Sequence, residues 1–468
     1  MFSKIVLASF LIIPTAWSSY ESAERQYGKG SISLSGYRRT IIELVNSGHY
    51  YSVVPWIKDY IVKNKKSLDS EMEAALDTVL YHTGVKPFES LPESILSRSR
   101  SGNIKYILAK RLLKKEEYNQ ALKEISGVSA DHTAYPFIAH LKGTLYSHLN
   151  KPEEAESNFK ECIAYSQKRM NKGSNAQKEQ LIINHDYCIA GLARVQFASK
   201  DYKKADLTYL DIPKESFVWP EILFEEAWNS YYQRNYNRTL GKLISYKAPI
   251  FDFIFKPETE VLKALSYMKM CLYEDANKTV DDFYNDLLKP SRDLRRFLLA
   301  RTKDYRFYYN LMADHEENKA SDQPLIDHIL KSIRRDGAFI EMKGALLASL
   351  SEYNEIRKKP KSGMREALIK NVRTLAEEYR TTLGAYIRAG MVNKYAELYS
   401  AFQGMSYIKL EVLAQRKERL YQTDVIPGKK RGDVKYIERN DKQYFWTFNG
   451  EFWADELGDY VFALRSEC

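Results

Sequence analysis

Apolar residues recur at steps of three and four along most of the chain, the spacing that lays a stripe along one side of an α-helix. The longest run is Leu368, Val372, Leu375, Tyr379, Leu383, Ile387, Met391, Tyr395, Leu398, Phe402, Met405, Ile408 and Val412, a stripe about 45 residues long. A second helical pattern covers residues 325–356, and Arg357-Lys358-Lys359-Pro360-Lys361-Ser362-Gly363 reads as the turn between the two. The pair predicts a long antiparallel helical hairpin that packs on the rest of the chain, on itself or on a partner. Residues 33–100 carry the same periodicity, broken at Ser47-Gly48-His49, and predict a helical N-terminal cap.

Between these regions the pattern repeats. Gly143, Tyr146, Ala155, Phe159 and Cys162 stand at offsets 0, 3, 12, 16 and 19, the small–aromatic–Ala–Phe–small spacing of a tetratricopeptide (TPR) unit. Small residues let two antiparallel helices approach, and large ones fill the gaps beside them. Ala121 lies 34 residues before Ala155; Ala205, Thr239 and Ala276 follow at steps of 50, 34 and 37. Tyr118, Tyr202, Tyr236 and Tyr273 precede four of these five positions, and Pro152 stands in the remaining one. The extra residues between Ala155 and Ala205 predict lengthened helices with a turn at Lys172-Gly173-Ser174. Pro136, Pro220 and Pro257 mark the starts of first helices, where a missing N–H is tolerated. The expected fold is therefore all-α: a TPR-type solenoid, then the long hairpin, then a small tail.

The tail changes character. After the basic linker Pro427-Gly428-Lys429-Lys430-Arg431-Gly432, aromatic residues alternate around Asn449-Gly450, which predicts a β-hairpin. Eight aromatics in residues 444–462 must find cover, as a cap on the helices or on a partner. At the other end, basic Lys4, an apolar core over residues 5–13, Pro14 and Ala16-Trp17-Ser18 have the layout of a secretory signal peptide. The expected divisions are residues 1–18 as signal, 19–100 as cap, 101–290 as an array of about five units, 291–422 as the hairpin region and 423–468 as linker and aromatic module.

Charge and chemistry alter this picture little. The formal net charge is +10, spread along helices with acidic neighbours, which reads as solvated faces and not as a nucleic-acid surface. Cys162, Cys188, Cys271 and Cys468 have no CxxC spacing and do not read as a metal site. Three fall in helical patterns, as small buried residues do; Cys468 either closes onto another cysteine or is free. His185-Asp186-Tyr187-Cys188 is the most ligand-like cluster but lacks a second ligand pair. The eight histidines form no HExxH, and there is no GxSxG, P-loop or GxGxxG. Asp455-Glu456 are adjacent, so their side chains diverge and cannot face a shared sugar. No catalytic residue, metal or cofactor is assigned.

Binding is the remaining possibility. In this repeat type the first helix of each pair lines a concave groove. The register places Tyr106 and Lys110 there in unit one, His140, Thr144 and His148 in unit two, and Arg194 and Phe197 in unit three. Phe224, Trp228, Tyr231 and Tyr232 follow in unit four, then Met268 and Lys269 in unit five. Aromatics in a groove favour peptide capture; packing against the next unit or the long hairpin is the competing role. No run of Lys and Arg supports a carboxylate clamp. Trp446, Phe448, Phe452 and Trp453 are the candidate dock in the tail.

Two stretches resemble one family. Residues 223–283 carry EEAWxxYxxxxYxxxLGxL and PExxxLKAxxYxxxCxYxxAxxxxxxF, and residues 444–468 (YFWTFNGEFWADELGDYVFALRSEC) are similar to YWPFxGEYWxDELGxY ending in a cysteine. These resemble the gliding-motility-associated TPR proteins of myxobacteria and related predatory bacteria; Phe445-Trp446-Thr447-Phe448 departs from that family's Trp-Pro-Phe. The resemblance implies a periplasmic, non-enzymatic component of an envelope-spanning machine, and admits peripheral association with the outer membrane. The leading expectation is an exported scaffold for envelope proteins or peptides. The alternatives are a cell-wall protein that binds or processes glycan through the tail, and a periplasmic chaperone for outer-membrane proteins.

Overall fold

The computed structural model describes residues 15–30, 33–171, 175–317, 319, 323–420, 434 and 437–468. The chain is all-α. Its helices are α1 (Thr15–Gly30), α2 (Leu34–Asn46), α3 (Val54–Lys63), α4 (Ser70–Thr83), α5 (Glu93–Leu96), α6 (Gly102–Lys114), α7 (Tyr118–Ile125), α8 (Tyr135–His148), α9 (Pro152–Arg169) and α10 (Asn175–Ala198). They continue as α11 (Tyr202–Tyr209), α12 (Trp219–Tyr232), α13 (Tyr236–Ile244), α14 (Glu258–Lys269), α15 (Tyr273–Ala300), α16 (Tyr305–Glu316), α17 (Pro324–Arg334), α18 (Gly337–Arg357) and α19 (Gly363–Leu420). The strands among the described residues are β1 (Trp446–Thr447) and β2 (Tyr460–Val461). The apolar segment at residues 5–13, the turn at 172–174 and the basic linker at 427–432 lie outside the described residues; Ala16, Trp17 and Ser18 fall in the first turn of α1.

Five helix pairs share one turn. Glu116, Asn150, Lys200, Arg234 and Cys271 all have positive φ, between 53° and 63°. They stand at the same 34-, 50-, 34- and 37-residue steps as the Ala/Thr positions. The residue after each donates its N–H to a carbonyl five back: Glu117 to Leu112, Lys151 to Tyr146, Asp201 to Gln196, Asn235 to Ser230 and Leu272 to Tyr267, at 2.9–3.0 Å. A left-handed residue closes each first helix. Asp201 and Asn235 then cap the second helix through side-chain oxygens at 3.2 and 3.3 Å. Ala121, Ala155, Ala205, Thr239 and Ala276 are fully buried where the helices of each pair meet.

The chain forms two compact units. The first comprises residues up to Ala134 together with Glu341–Arg380. In it α1 packs on α2, and α6 on α7. Buried Glu352 of α18 accepts the backbone N–H groups of Tyr51 and Ser52, each at 2.8 Å, and Asn371 of α19 donates to Ser52 O at 2.9 Å. Asp69 caps α4 through the Met72 N–H and pairs with Arg38 at 2.6 Å.

The second unit comprises Tyr135–Ile340 and Thr381–Cys468. Each helix from α8 to α15 packs on the next, and α8 also touches α10, as α12 touches α14. Phe159 of α9 lies against Gly143 of α8 and Gly191 of α10; a methyl at Gly191 would come within 2.4 Å of its ring. The α19 segment of this unit passes close to α16, where a methyl at Gly384 would meet Tyr305 O at 1.9 Å. Phe402 of α19 stacks edge-on to Phe283 of α15 at 4.9 Å. The long stripe is the buried side of α19: Ile387, Met391, Leu398, Met405 and Val412 in this unit, and Leu368 and Val372 in the first, have no exposed surface.

Three expectations are corrected. The first arm of the long hairpin is two helices, α17 and α18, because Asp336 caps α18 by accepting the Ala338 N–H at 2.9 Å. The tail is not a β-hairpin: β1 and β2 pair in parallel, Trp446 with Tyr460 and Thr447 with Val461. The chain loops through Asn449-Gly450 and returns because β2 lies on α13. There a methyl at Gly241 would sit 1.6 Å from Tyr460 O. Finally, the cysteines are not lone apolar fillers: Cys162 bonds to Cys188, and Cys271, in the fifth turn, bonds to Cys468.

Candidate interaction surface

The first helices of the second unit present a polar cluster and an aromatic one. In the polar cluster, Arg194 of α10 makes a forked contact with Glu225 of α12, Nη2 to Oε1 at 2.6 Å and Nε to Oε2 at 2.9 Å. Arg194 also reaches Glu221 at 3.3 Å. Tyr209 donates to Glu225 at 3.0 Å and Tyr187 to Glu221 at 3.3 Å. Two acids thus hold one guanidinium and two phenols in place.

The aromatic cluster joins α10, α11, α12 and α13. Phe197 meets Tyr202 and Tyr232, each at 5.4 Å, and Tyr202 stacks on Tyr232 at 5.6 Å. Trp228 and Tyr231 meet at 5.5 Å, and Tyr231 meets Tyr236 at 5.4 Å. Burial, then the phenols of Tyr236 and Tyr232, push Tyr231 up to about 12, so it stays neutral. Tyr232 is half exposed and is the member offered to solvent.

The structure separates the other groove candidates. Phe224 is buried, with Lys256 4.6 Å above its ring, and Trp228 and Tyr231 also pack on Leu243 and Leu262. Thr144 donates back to His140 O at 3.1 Å. His140 turns inward, its Nδ1 2.9 Å from Asn184 Oδ1. Burial pulls the His140 imidazole below its ordinary value, against the Asn184 bond. His148 and Lys269 are exposed, and Met268 is partly buried. In the first unit Tyr106 and Lys110 form a cation–π pair at 5.4 Å, with Lys110 3.7 Å from Glu89. Burial, then Glu341 and Glu89, push Tyr106 up to about 12.

The tail candidates divide. Phe448 and Phe452 pack on the core of Trp219, Leu223, Phe251 and Tyr460, so they are part of the fold and not a dock. Trp446 and Trp453 are exposed. Tyr202, Tyr236, Glu221 and Glu225 were missed as surface residues. The two tyrosines belong to the Tyr-x-x-Ala/Thr repeat, where they read as packing residues alone.

His140, Cys162 and Cys188 place ligand-type atoms within 4.8 Å of one another. The two sulfurs are bonded together, so the thiolates a soft metal requires are consumed. At His185-Asp186, the carboxylate accepts from Ser216 Oγ at 2.5 Å and faces His185 Nδ1 at 2.9 Å. Hydroxyl and imidazole thus bind the same acid and do not form a nucleophile–base pair. No helix among the described residues is long and apolar enough to cross a membrane. No protein-family model matches the chain, and no curated protein matches it significantly.

Proposed function

We propose that this chain is a non-enzymatic TPR scaffold of the cell envelope, exported to the periplasm, that binds envelope proteins or peptides on the surface built by α10 and α12. The recurrence of one left-handed turn at the repeat spacing carries the reading, because such arrays present extended surfaces for recognition. The contact surface is the Arg194–Glu221–Glu225 cluster beside Tyr232, a charged fork next to a half-exposed aromatic. Two disulfides favour an oxidising compartment and so support export.

The test is a cross-linked pull-down from native envelopes with the full chain and with Arg194→Glu/Tyr232→Ala. A small fixed set of envelope proteins recovered with the native chain and lost with the variant supports the scaffold. Sedimentation with purified peptidoglycan, with no protein set sensitive to the variant, overturns it.

A further inference from the structure

The two disulfides of the second unit differ in what can reach them. Cys162 and Cys188 have no exposed surface. Cys468 is exposed, and Cys271 is partly buried. Next to this second bridge the tail lies on α13 and α14 through a short series of polar contacts. Phe462 N–H donates to Asn237 O at 3.1 Å, and the Asn237 amide both accepts from Leu464 N–H at 2.9 Å and donates to Leu464 O at 3.0 Å. Glu467 N–H donates to Met270 O at 2.9 Å.

Beneath the tail lies a layer of four charged residues, Asp206, Glu226, Arg238 and Lys242, none more than 7% exposed. Glu226 bonds Lys242, and Arg238 lies 3.5 Å from Asp206. The tail completes this layer: Gln443 donates to Asp206 at 2.7 Å, and the Phe445 ring lies 5.5 Å from the Arg238 guanidinium. Paired charges tolerate burial only while their remaining hydrogen-bonding positions are filled and water is excluded. Burial raises Glu226 above the ordinary carboxyl range, consistent with a dry layer.

We propose that the Cys271–Cys468 disulfide is a thiol-releasable latch on the C-terminal strap, residues 437–468, and that opening it hydrates the ionic layer of α11–α13. A thiolate of a dithiol attacks the sulfur of the exposed residue Cys468, and Cys271 leaves as a thiolate and takes a proton. The second thiol of the reagent resolves the mixed disulfide, leaving two protein thiols and one cyclic disulfide. Two electrons pass from the dithiol to the protein bridge. The buried Cys162–Cys188 bridge offers no such approach without local opening. The latch stands apart from the scaffold reading, since it is read out without a partner.

The experiment treats the full oxidised chain with dilute dithiothreitol, alkylates at timed intervals and maps both bridges while following amide hydrogen exchange. The Cys271–Cys468 bridge is expected to be reduced at least tenfold faster than Cys162–Cys188. In that singly reduced species, exchange at residues 443–464 rises at least tenfold while α8–α10 stays protected. Equal reduction rates overturn the proposal, as does a tail that keeps its protection after the bridge is cut. Cys468→Ser, which cannot form the bridge, is expected to show the fast tail exchange without reductant. If it retains the protection of the oxidised chain, the non-covalent contacts alone hold the strap and there is no latch.

Discussion

The region α8–α10 and the region α11–α14 use the same turn and the same Ala/Thr contact, yet they complete their cores differently. In the first, the second helix is long: α9 has 18 residues, and its Phe159 fills the space between Gly143 and Gly191. A disulfide only 26 residues apart in sequence closes that core internally. In the second region, α11 and α13 have 8 and 9 residues and leave a layer of buried charge uncovered. The missing cover comes from residues more than 200 positions later, which lay backbone on Gly241 and an amide on Asp206. A repeat can therefore keep its turn and exchange local apolar bulk for a distant strap, but the exchange brings buried ions.

The comparison can be broken most forcefully at those ions. Lys242→Met leaves Glu226 buried and unpaired, and should lower stability by about 3–5 kcal/mol in urea melts. Adding Glu226→Leu should recover much of that loss. If the single variant is neutral, the ionic layer is wet and the contrast fails.

Next come the two glycines. Gly191→Ala forces a methyl onto Phe159, and Gly241→Ala forces one onto the Tyr460 carbonyl; overpacking of this kind costs about 1–3 kcal/mol. The two should differ in kind. Gly191→Ala should loosen exchange throughout α8–α10. Gly241→Ala should leave helical circular dichroism intact and free only residues 443–464.

A smaller effect comes with acid. His140 titrates below its ordinary value of 6.5 because it is buried, so below that pH the unfolded chain binds a proton that the folded chain does not. Stability in α8–α10 should therefore fall as pH drops below about 6.5, and His140→Phe should flatten this limb. Hydrogen exchange at pH 7 and pH 5 measures it; an unchanged pH dependence in His140→Phe would mean that other groups set it.

The smallest expected effect tests whether the turns are equivalent. Lys200→Gly and Arg234→Gly each relieve a side chain held at positive φ, for a gain of up to about 1 kcal/mol. Equal gains in thermal melts mean that the turns leading into α11 and α13 are equivalent, so that what sets these helices apart is what covers them. Asn150→Gly should gain less, since Asn tolerates this conformation.

What could be read from the chain followed distance along it. The Ala/Thr spacing marked five helix pairs, each of which closes with the same left-handed turn, because a helix pair is specified within a few tens of residues. The stripe from Leu368 to Val412 named the buried side of α19 for the same reason. The tail was misread because Asn449-Gly450 is a local hairpin signal, and it lost to Asn237 and Gly241, which no local pattern connects to it. The aromatic candidates on α12 were divided because groove lining and inter-helix packing draw on the same residue types. Tyr232 stayed outside, and Phe224 did not.

The position of Cys271 also bears on the order of events as the chain is made. Cys162, Cys188 and Cys271 are all synthesised long before Cys468, which follows Cys271 by 197 residues. During that interval the chain holds three thiols and only one correct pairing. Closure of a 26-residue loop is entropically easier than closure of the longer loops to Cys271. The early bridge therefore removes both competitors before the true partner of Cys271 exists. If Cys162 and Cys188 close first, the later bond is protected from error, and a chain lacking Cys162 should accumulate a mispaired Cys188–Cys271 form.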